Sequence, residues 1–413
     1  MSGEIRAGIA NRFSPFKIPA FTIFYLAQAL SLLGSWMQEL AKSWLILSID
    51  GKSSSIGALM FAQAIPNLLL VSFAGSLADR YSTKRILVAT QATLAVSAAI
   101  LGVLVATGNI SFTALIIIAM VEGTAVAFDV PAFNLVTPQL VPKKDFQQAL
   151  ALNSVNFHLS RVLGPALAGL VMAHFGTQNV FWFNSISFVG LILVFWRLPL
   201  KKNPTYEKQK SDPQREDSGT LKEVFFFLRH HAVFSKIMIQ FLLLMSLIFP
   251  LLFTTMRVLV KERFAISAED FGLVFAAPGL GALLGSLTFL LIKPKDPLRI
   301  LPAGLVGVVC GLILIAEAMD LSLLIGLFIA FSFMLFLTLS ALLVTVQLQV
   351  ADQIRGRVSA LIGLCFVAVS PVMTVPVGFL SDLMGEREVL WCAALLFGFL
   401  SLTVQFKKTS RPI

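Results

Sequence analysis

The sequence predicts an all-α membrane protein with twelve transmembrane helices, arranged as two pseudo-symmetric six-helix bundles. Three observations lead to this fold class: composition, the length of the apolar runs, and an internal repeat. Hydrophobic residues make up 57% of the 413 residues and charged residues only 13%, which is too little polar surface for a water-soluble chain of this size. Runs of about 20 or more apolar residues recur along the chain, and each can cross a bilayer core of about 30 Å as a helix. Such runs favour helices over the short alternating strands of a barrel.

Turn-forming residues separate the apolar runs and set the predicted ends of the helices. The clearest breaks lie at Asp50-Gly51, Gly108-Asn109, Pro142, Gly176, Pro294 and Gly385. The twelve predicted spans cover residues 20–48, 55–77, 86–107, 111–138, 149–174, 179–198, 234–259, 270–292, 299–318, 321–349, 357–381 and 388–406.

The two halves of the chain resemble each other at a spacing of about 209 residues. Three short matches occur in the same order in both halves, which favours duplication of a six-helix unit. They are Val136–Leu140 with Val344–Leu348, Gly75–Leu77 with Gly285–Leu287, and Gly176, Val180 and Trp182 with Gly385, Val389 and Trp391.

Basic residues are distributed unevenly between the two sets of connections. With the N-terminus inside, most of the 32 lysines and arginines fall on the inner connections. This asymmetry predicts a multi-pass protein of the bacterial inner (plasma) membrane with both termini in the cytoplasm. It also accounts for the net charge of +10, so we expect no nucleic-acid partner. The basic residues assigned to outer connections are Lys52, Arg257, Lys261, Arg263 and Arg387.

One long polar segment divides the chain. Residues 199–222 carry mixed charges together with Pro and Gly, a composition typical of a flexible linker. The stretch from Leu221 to His231 predicts a short amphipathic helix on the inner membrane surface. We therefore expect an N-terminal six-helix bundle over 1–198, a cytoplasmic linker with this helix over 199–233, and a C-terminal six-helix bundle over 234–413.

The stretch from Gly75 to Arg85 joins the second and third predicted spans. Its residues Gly75-Ser76-Leu77-Ala78-Asp79-Arg80, followed by Lys84-Arg85, resemble the G-x-L-a-D-R-x-x-R/K-R/K signature of the major facilitator superfamily. Ser82-Thr83 stand where Gly-Arg is usual. Further stretches are similar to the enterobactin-exporter-like, multidrug-efflux branch of that superfamily. These are Leu26-Ala27-Gln28, Gly34–Gln38, Gln63–Pro66, Phe128–Ala132, Ala151–Ser154 and Arg161–Pro165.

The resemblance implies that the loop after the second helix is a gate latch. Asp79 would cap the start of helix 11, where unsatisfied N–H groups favour an anion. Arg80 or Lys84 would pair with Asp129 at the inner end of helix 4. Small residues would bring two helices close together. The alternative is that these charges only set the topology. The predicted gate residues are Gly75, Asp79, Arg80, Lys84 and Arg85.

The fifth span carries a second motif, Arg161-x-x-Gly164-Pro165-x-x-x-Gly169. It is similar to a loose version of the family's antiporter motif, in which a bent helix seals one side of the transporter. Glycines permit close packing and the proline bends the helix. Plain helix packing explains Gly164, Pro165 and Gly169 equally well.

Ionisable residues inside the spans are costly, which makes them candidates for coupling or substrate binding. Glu122 and Asp129 are seven residues apart and share one face of the fourth span, and Arg161 lies about halfway along the fifth. We expect a Glu122–Arg161 pair near the midplane, where the carboxylate exchanges a proton as access changes. A static ion pair is the alternative. Glu39 is a fourth candidate, although its spacing to Lys42 also allows a simple pair near the interface.

Polar residues follow one face of the first span at a spacing of three to four, and further amides lie on the fifth, sixth and seventh. Such residues line a cavity or form hydrogen bonds between helices, and both interpretations stay open. The predicted cavity residues are Gln28, Ser35, Gln38, Asn153, Asn156, Asn184 and Gln240.

The resemblance implies a secondary active transporter that exports a small amphipathic molecule, such as a drug or siderophore, by alternating access coupled to protons. The expected partners are this substrate, protons and the lipid bilayer, and we expect a monomer. The alternatives are uptake, transport of a lipid-like molecule, or a transport-inactive sensor or scaffold. The sequence contains no G-x-x-x-x-G-K-[ST], H-E-x-x-H or G-x-S-x-G motif, so we expect neither a primary pump nor an enzyme, and neither a cofactor nor a metal site.

Overall fold

The computed structural model describes residues 14–200, 232–350, 358 and 361–406. Twelve of the helices in these ranges are long and apolar enough to cross a membrane, which confirms the number predicted from the apolar runs. We label these spans α1 to α12. Their bounds are Pro19–Ile49, Ser53–Arg80, Thr83–Ala106, Phe112–Asn134, Phe146–Phe175, Gln178–Arg197, Phe234–Phe264, Ala268–Ile292, Leu301–Glu317, Leu321–Gln349, Leu361–Met384 and Glu386–Phe406.

Short helices and capping side chains mark the ends of the spans. Ser111 caps α4 by accepting from the N–H of Ala114, and Ser267 caps α8 by accepting from that of Asp270. Asp320 caps α10 in the same way, at the N–H of Leu323. These side chains satisfy backbone donors that the first helical turn leaves unpaired. The short helices are Ser14–Lys17, Val136–Leu140, Lys143–Asp145 and Pro297–Ile300.

Spans α7 and α11 are locally widened into π turns, at Leu244–Ile248 and Cys365–Val369. A proline follows each turn at the start of the next α-helical stretch, Pro250 in α7 and Pro371 in α11. Proline lacks a backbone donor and disrupts the regular i to i−4 pattern, which a π turn accommodates. α7 then continues as Phe249–Phe253 and Thr255–Phe264.

Arg257, Lys261 and Arg263, assigned to an outer connection, lie inside α7, which extends to Phe264. Arg257 is 5% exposed and lies inside the helix. Its guanidinium donates to the hydroxyl of Ser43 and lies over the rings of Phe253 and Phe275. A hydroxyl acceptor and two aromatic faces provide a buried arginine with the contacts that water would otherwise supply, so the charge does not end the helix.

Helix contacts divide the chain into two units. Unit 1 comprises Met1–Lys42 and Ile65–Glu216, and unit 2 comprises Ser43–Ala64 and Asp217–Ile413. The end of α1 and the start of α2 therefore belong with the second half of the chain. The predicted domain limits at 198 and 234 stay predictions, because residues 201–231, with the expected amphipathic helix, lie outside the described residues.

The packing within each half supports the internal repeat. In unit 1, α3 packs against α4 and α6, and in unit 2, α9 packs against α10 and α12, the helices six further along. Gly176 and Gly385, one of the matched pairs, end α5 and α11 with φ of 90° and 98° and ψ of 153° and 149°. A side chain would be strained in this conformation. The same sequence signal therefore produces the same turn in both halves.

Candidate functional site

Unit 1 holds a cavity of about 820 Å³, with a wall formed by α1, α3, α4, α5 and α6. About half of the side chains on its wall are polar, and the rings of Phe133, Phe157 and Phe188 contribute to the apolar part. Pockets of this size accommodate small molecules, and a mixed lining of this kind can orient them. Three of the predicted cavity residues lie on the wall, namely Gln28, Ser35 and Asn153.

Several polar atoms on this wall are buried without a hydrogen-bond partner. They include the amide oxygens of Gln28, Gln91 and Asn153 and the Nδ1 atom of His158. Buried polar groups are costly unless paired, so these atoms mark positions where a bound molecule would supply the missing bonds. Gln91 is not among the cavity residues predicted from the sequence, although its amide inside the apolar run of α3 marks it as a candidate.

Asp129 also lies on the cavity wall, and its two oxygens have different surroundings. Thr90 Oγ1 at 2.5 Å and Gln91 Nε2 at 2.9 Å both donate to Oδ1. Lys84, one of the two cations expected beside Asp129, donates its Nζ to the carbonyls of Trp196 and Leu198 at the end of α6. The side chain of the other, Arg80, lies outside the described residues, so its pairing with Asp129 stays a prediction.

Glu122 forms the centre of a buried polar network outside the cavity. Lys42 Nζ lies 3.0 Å from Glu122 Oε2, and Gln38 Nε2 donates to Oε1 at 2.6 Å. Asn184 Nδ2 donates to Gln38 Oε1 at 2.8 Å. Lys42 and Glu122 are each 2% exposed. The network links α6, α1 and α4, and it provides the pairing that buried charges require.

The cation beside Glu122 is therefore Lys42 of α1, where the sequence pointed to Arg161 of α5. Lys42 also lies 3.4 Å from Glu39, so the pair allowed by their spacing is present. Arg161 lies with its guanidinium 5.7 Å from the ring centroid of Trp36. Residue spacing along one helix could not reveal which cation lies beside Glu122. The answer depends on how α1 and α4 are rotated against each other.

Glycines let α1 lie directly against its neighbours. A Cβ at Gly164 would clash with Cβ of Trp36, and one at Gly34 would clash with the side chain of Asn184. Close packing at Gly164 thus agrees with the predicted helix-bend motif. Pro165 lies inside the unbroken helix α5, and the proposed bend and the role of Gly169 stay predictions.

The other predicted cavity residues lie elsewhere. Gln38 and Asn184 belong to the Glu122 network. Asn156 is buried on α5, and its Nδ2 has no hydrogen-bond partner among the described residues. Gln240 lies in unit 2, where its Nε2 donates to Ser401 Oγ at 2.9 Å. Gln240 also lines a separate pocket of about 280 Å³ in that unit.

The predicted gate loop is described only in part. A Cβ at Gly75 would meet no atom within 4 Å, whereas one at its counterpart Gly285 would clash with the carbonyl oxygen of Phe333. Among the described residues, close packing is therefore found at Gly285 and not at Gly75. The side chains of Asp79 and Arg80 and the start of helix 11 lie outside the described residues, so their contact and the role of Arg85 stay predictions.

A helix cap in unit 2 joins α2 to α11. Asp382 Oδ1 accepts from the N–H of Ser53 at 2.8 Å, and Asp382 Oδ2 accepts from that of Ser54 at 3.2 Å. The helices touch closely here, since a Cβ at Gly378 would lie 2.7 Å from the carbonyl oxygen of Ser53. Thr374 Oγ1 donates to the carbonyl of Gly57 one turn further along. The sequence reasoning missed this carboxylate.

The end of α1 is held to α7 by two cations. Arg257 binds Ser43, as described above, and Lys261 donates to Ser48 Oγ at 3.2 Å. The ammonium group of Lys261 also lies 4.7 Å from the ring centroid of Trp44, a cation–π contact. Together with the Asp382 cap, these bonds attach the α1–α2 corner to helices of the second half.

Metal chemistry finds no support in the described ranges, where no group of three or more His, Cys, Asp and Glu side chains could hold a metal ion. The polar residues of unit 1 are instead arranged as a cavity wall and a separate ion-pair network. Such a mixed polar and aromatic wall can bind a small molecule.

Curated relatives carry transport names. The chain is 29% identical to the staphyloferrin A transporter of Staphylococcus aureus over 269 residues, 64% of this chain and 65% of the relative. It is 24% identical to the enterobactin exporter EntS of Shigella boydii over 270 residues, 65% of this chain and 63% of the relative. The chain thus spans somewhat less than two thirds of the length of these relatives.

Solved structures share the fold at low sequence identity. A bacterial homologue of the human lysosomal transporter Spinster, inward-facing and unoccupied, superposes with a TM-score of 0.75 at 12% identity, covering 95% of this chain and 98% of the other. A bacterial homologue of the iron transporter ferroportin gives 0.71 at 16% identity, covering 94% and 99%. The family model described as transmembrane secretion effector matches residues 10–410. The chain therefore belongs to the transmembrane secretion effector family of the major facilitator superfamily.

Proposed function

We propose that this protein exports a small amphipathic molecule, siderophore-like or drug-like, across the bacterial inner membrane by alternating access coupled to protons. The observation that carries the proposal is the cavity of about 820 Å³ in unit 1, with its mixed polar and aromatic wall. The relatives named as a staphyloferrin A transporter and an enterobactin exporter support a siderophore-like cargo. The exporter among them, and the secretion family, favour export over uptake.

Alternating access requires contacts that hold one side closed and break when the halves move. The α1–α2 corner, on the predicted outer side, is bound to α7 and α11 inside unit 2, so it would move together with that unit. Its contacts with α7 and α11 are a helix cap at Asp382, hydrogen bonds to Ser43 and Ser48, and a cation–π pair at Trp44.

For proton exchange we favour Asp129 over Glu122. Glu122 is bound on both oxygens, by Lys42 and Gln38, and is fully buried in its network. Asp129 lies on the cavity wall, and both of its hydrogen bonds from described side chains go to Oδ1. A carboxylate open to a cavity on one oxygen can take up and release a proton without dismantling a buried ion pair. We therefore assign a positioning role to Glu122, which fixes α1 against α4.

The test is transport in proteoliposomes with an imposed pH gradient and an internal dye that reports pH. Siderophores and amphipathic dyes are screened with the wild type, Asp129→Asn, Glu122→Gln and the matched control Asp296→Asn, which changes an exposed loop carboxylate. We expect substrate-dependent proton flux in the wild type and the control, and its loss in Asp129→Asn. Loading substrate on either side gives the direction.

Each other outcome removes a specific part of the proposal. Substrate movement without proton flux in the wild type would contradict the coupling. Proton flux that survives in Asp129→Asn but disappears in a folded Glu122→Gln protein would move the coupling site to Glu122. Net accumulation from the predicted outer side would show uptake in place of export. Absence of transport for every siderophore and dye would contradict the proposed cargo class.

A further inference from the structure

The acceptor atoms near Asp129 form a defined pair on the cavity wall. Both hydrogen bonds to this carboxylate end on Oδ1, from Thr90 and Gln91. Because the amide nitrogen of Gln91 donates to a carboxylate oxygen, the amide can have only one orientation, with Oε1 as the remaining acceptor. That Oε1 is buried and has no partner among the described residues, and Gln91 is 2% exposed.

Two further residues on the cavity wall carry unpartnered acceptors. The amide oxygens of Gln28 on α1 and Asn153 on α5 are buried without partners, and both residues line the cavity. An acceptor without a donor is costly away from water. A bound group that donates several hydrogen bonds would relieve this cost, whereas a group that only accepts would add to it.

The charge of the cavity wall also favours a group that donates hydrogen bonds over an anion. Among the described side chains that line the cavity, Asp129 is the one acid, and none is lysine or arginine. Arg161 and Lys42 are directed to Trp36 and Glu122 respectively. An anion placed here would meet the carboxylate of Asp129, which repels negative charge.

On the assumption that this cavity is the transport site, as argued above, we propose that Asp129 and Gln91 bind a hydrogen-bond-donating group of the substrate. A protonated amine or a pair of vicinal hydroxyls has the required chemistry. Phe133, Phe157 and Phe188 on the same wall hold the aromatic or aliphatic body to which this group is attached. The cavity thereby selects donor-bearing amphiphiles and rejects carboxylates.

The test is equilibrium binding to the purified full chain in detergent at neutral pH, by isothermal calorimetry. Four probes each combine one benzene ring with a short alkyl chain. The polar group lies at the chain end in 4-phenylbutylamine and 4-phenylbutyrate, on the ring in 4-butylcatechol, and is absent in butylbenzene. We expect the amine and the catechol to bind, and the carboxylate to bind at least about tenfold more weakly than either. Separate measurements with the amine and the catechol show whether an ammonium group, a pair of hydroxyls or both can bind.

Variants locate the binding group. Asp129→Asn should weaken binding of the amine by about 10- to 150-fold, the range for losing a charge-assisted hydrogen bond, and that of the neutral catechol by less. Gln91→Leu should weaken both. Asp296→Asn serves as the control, and size-exclusion profiles and melting temperatures identify variants that fail to fold.

Binding of 4-phenylbutyrate as tight as that of the amine would overturn the inference, and so would unchanged amine affinity in a folded Asp129→Asn protein. These outcomes are distinct from failure of the proposed function. If the amine or the catechol binds through Asp129 but no cargo moves in proteoliposomes, the transport proposal fails and the binding site stands. If cargo moves and neither donor probe competes with it, the substrate class fails alone.

Discussion

Lys42 and Glu122 are separated by 80 positions in sequence and form a buried ion pair. A charged group inside a membrane protein is tolerated when it meets an opposite charge and further hydrogen bonds, and here Gln38 completes the set around Glu122. The two carboxylates of α4 therefore differ in what they contact. One carboxylate of α4 fixes helices, and the other, Asp129, faces a cavity.

The losses of stability from removing the two members of the Lys42–Glu122 pair should not be additive. We expect Lys42→Met alone to lower the free energy of unfolding by about 3–5 kcal/mol, because Glu122 is left buried without its cation. Glu122→Gln should cost less, because Lys42 keeps Glu39 at 3.4 Å. The double variant Lys42→Met with Glu122→Gln should lose less than the sum of the two. Thermal unfolding in detergent measures all three, and additive losses would contradict the pairing.

Gly164 should be intolerant of even one methyl group. A Cβ there would clash with Trp36, whereas a Cβ at Gly190 of α6 would meet no atom within 4 Å. We expect Gly164→Ala to cost about 1–3 kcal/mol through overpacking, and Gly190→Ala to be neutral or slightly stabilising. The melting temperatures of the two purified variants check this. Equal melting temperatures would show that α1 and α5 adjust freely.

At the scale of elements, the α1–α2 corner packs with helices of the second half of the chain. It lies early in the sequence, yet its residues Ser43–Ala64 belong to unit 2 by their contacts. The helix start of α2 is capped by Asp382 of α11. The sequence predicts a cap in the other direction, in which Asp79 of α2 binds the start of α11, and that contact stays a prediction.

Loss of this cap should make the start of α2 more accessible. Asp382→Ala removes an acceptor of two backbone N–H groups, a change that costs about 0.5–2 kcal/mol. In a background without Cys310, Cys365 and Cys392, a cysteine at the buried position Ser55 should then react about 2- to 30-fold faster with a membrane-impermeant maleimide.

The control for this experiment is Asp320→Ala, which removes an equivalent cap at the start of α10. It should leave the labelling rate at position 55 unchanged. Equal acceleration by both substitutions would show a general loosening of the fold, and no acceleration by Asp382→Ala would show that the cap does not hold the corner.

At the scale of the whole molecule, the distribution of basic residues predicts the topology. Because positively charged connections are retained in the cytoplasm, a fluorescent protein fused after Ile413 should be fluorescent and an alkaline phosphatase fused there inactive. A phosphatase inserted at Gly51 should be active. The reverse result at either position would contradict the predicted orientation.

Much of the fold followed from the sequence because its determinants are local. A bilayer sets the length of each apolar run, so all twelve spans could be counted. The error at Arg257 is instructive. Charge normally indicates water, and only the approach of Ser43, Phe253 and Phe275 shows that this guanidinium is buried.

The sequence by itself determined the membrane class, the number of spans, the internal repeat and the superfamily, since these depend on composition, run length and short contiguous motifs. The tertiary structure alone decided that Glu122 meets Lys42 instead of Arg161, that Gln91 and His158 face the same cavity as Asp129, and that Asp382 caps α2. These contacts join helices far apart in the chain. They depend on the rotation of each helix about its axis. The sequence leaves this rotation undetermined, because a membrane helix is apolar on most of its faces.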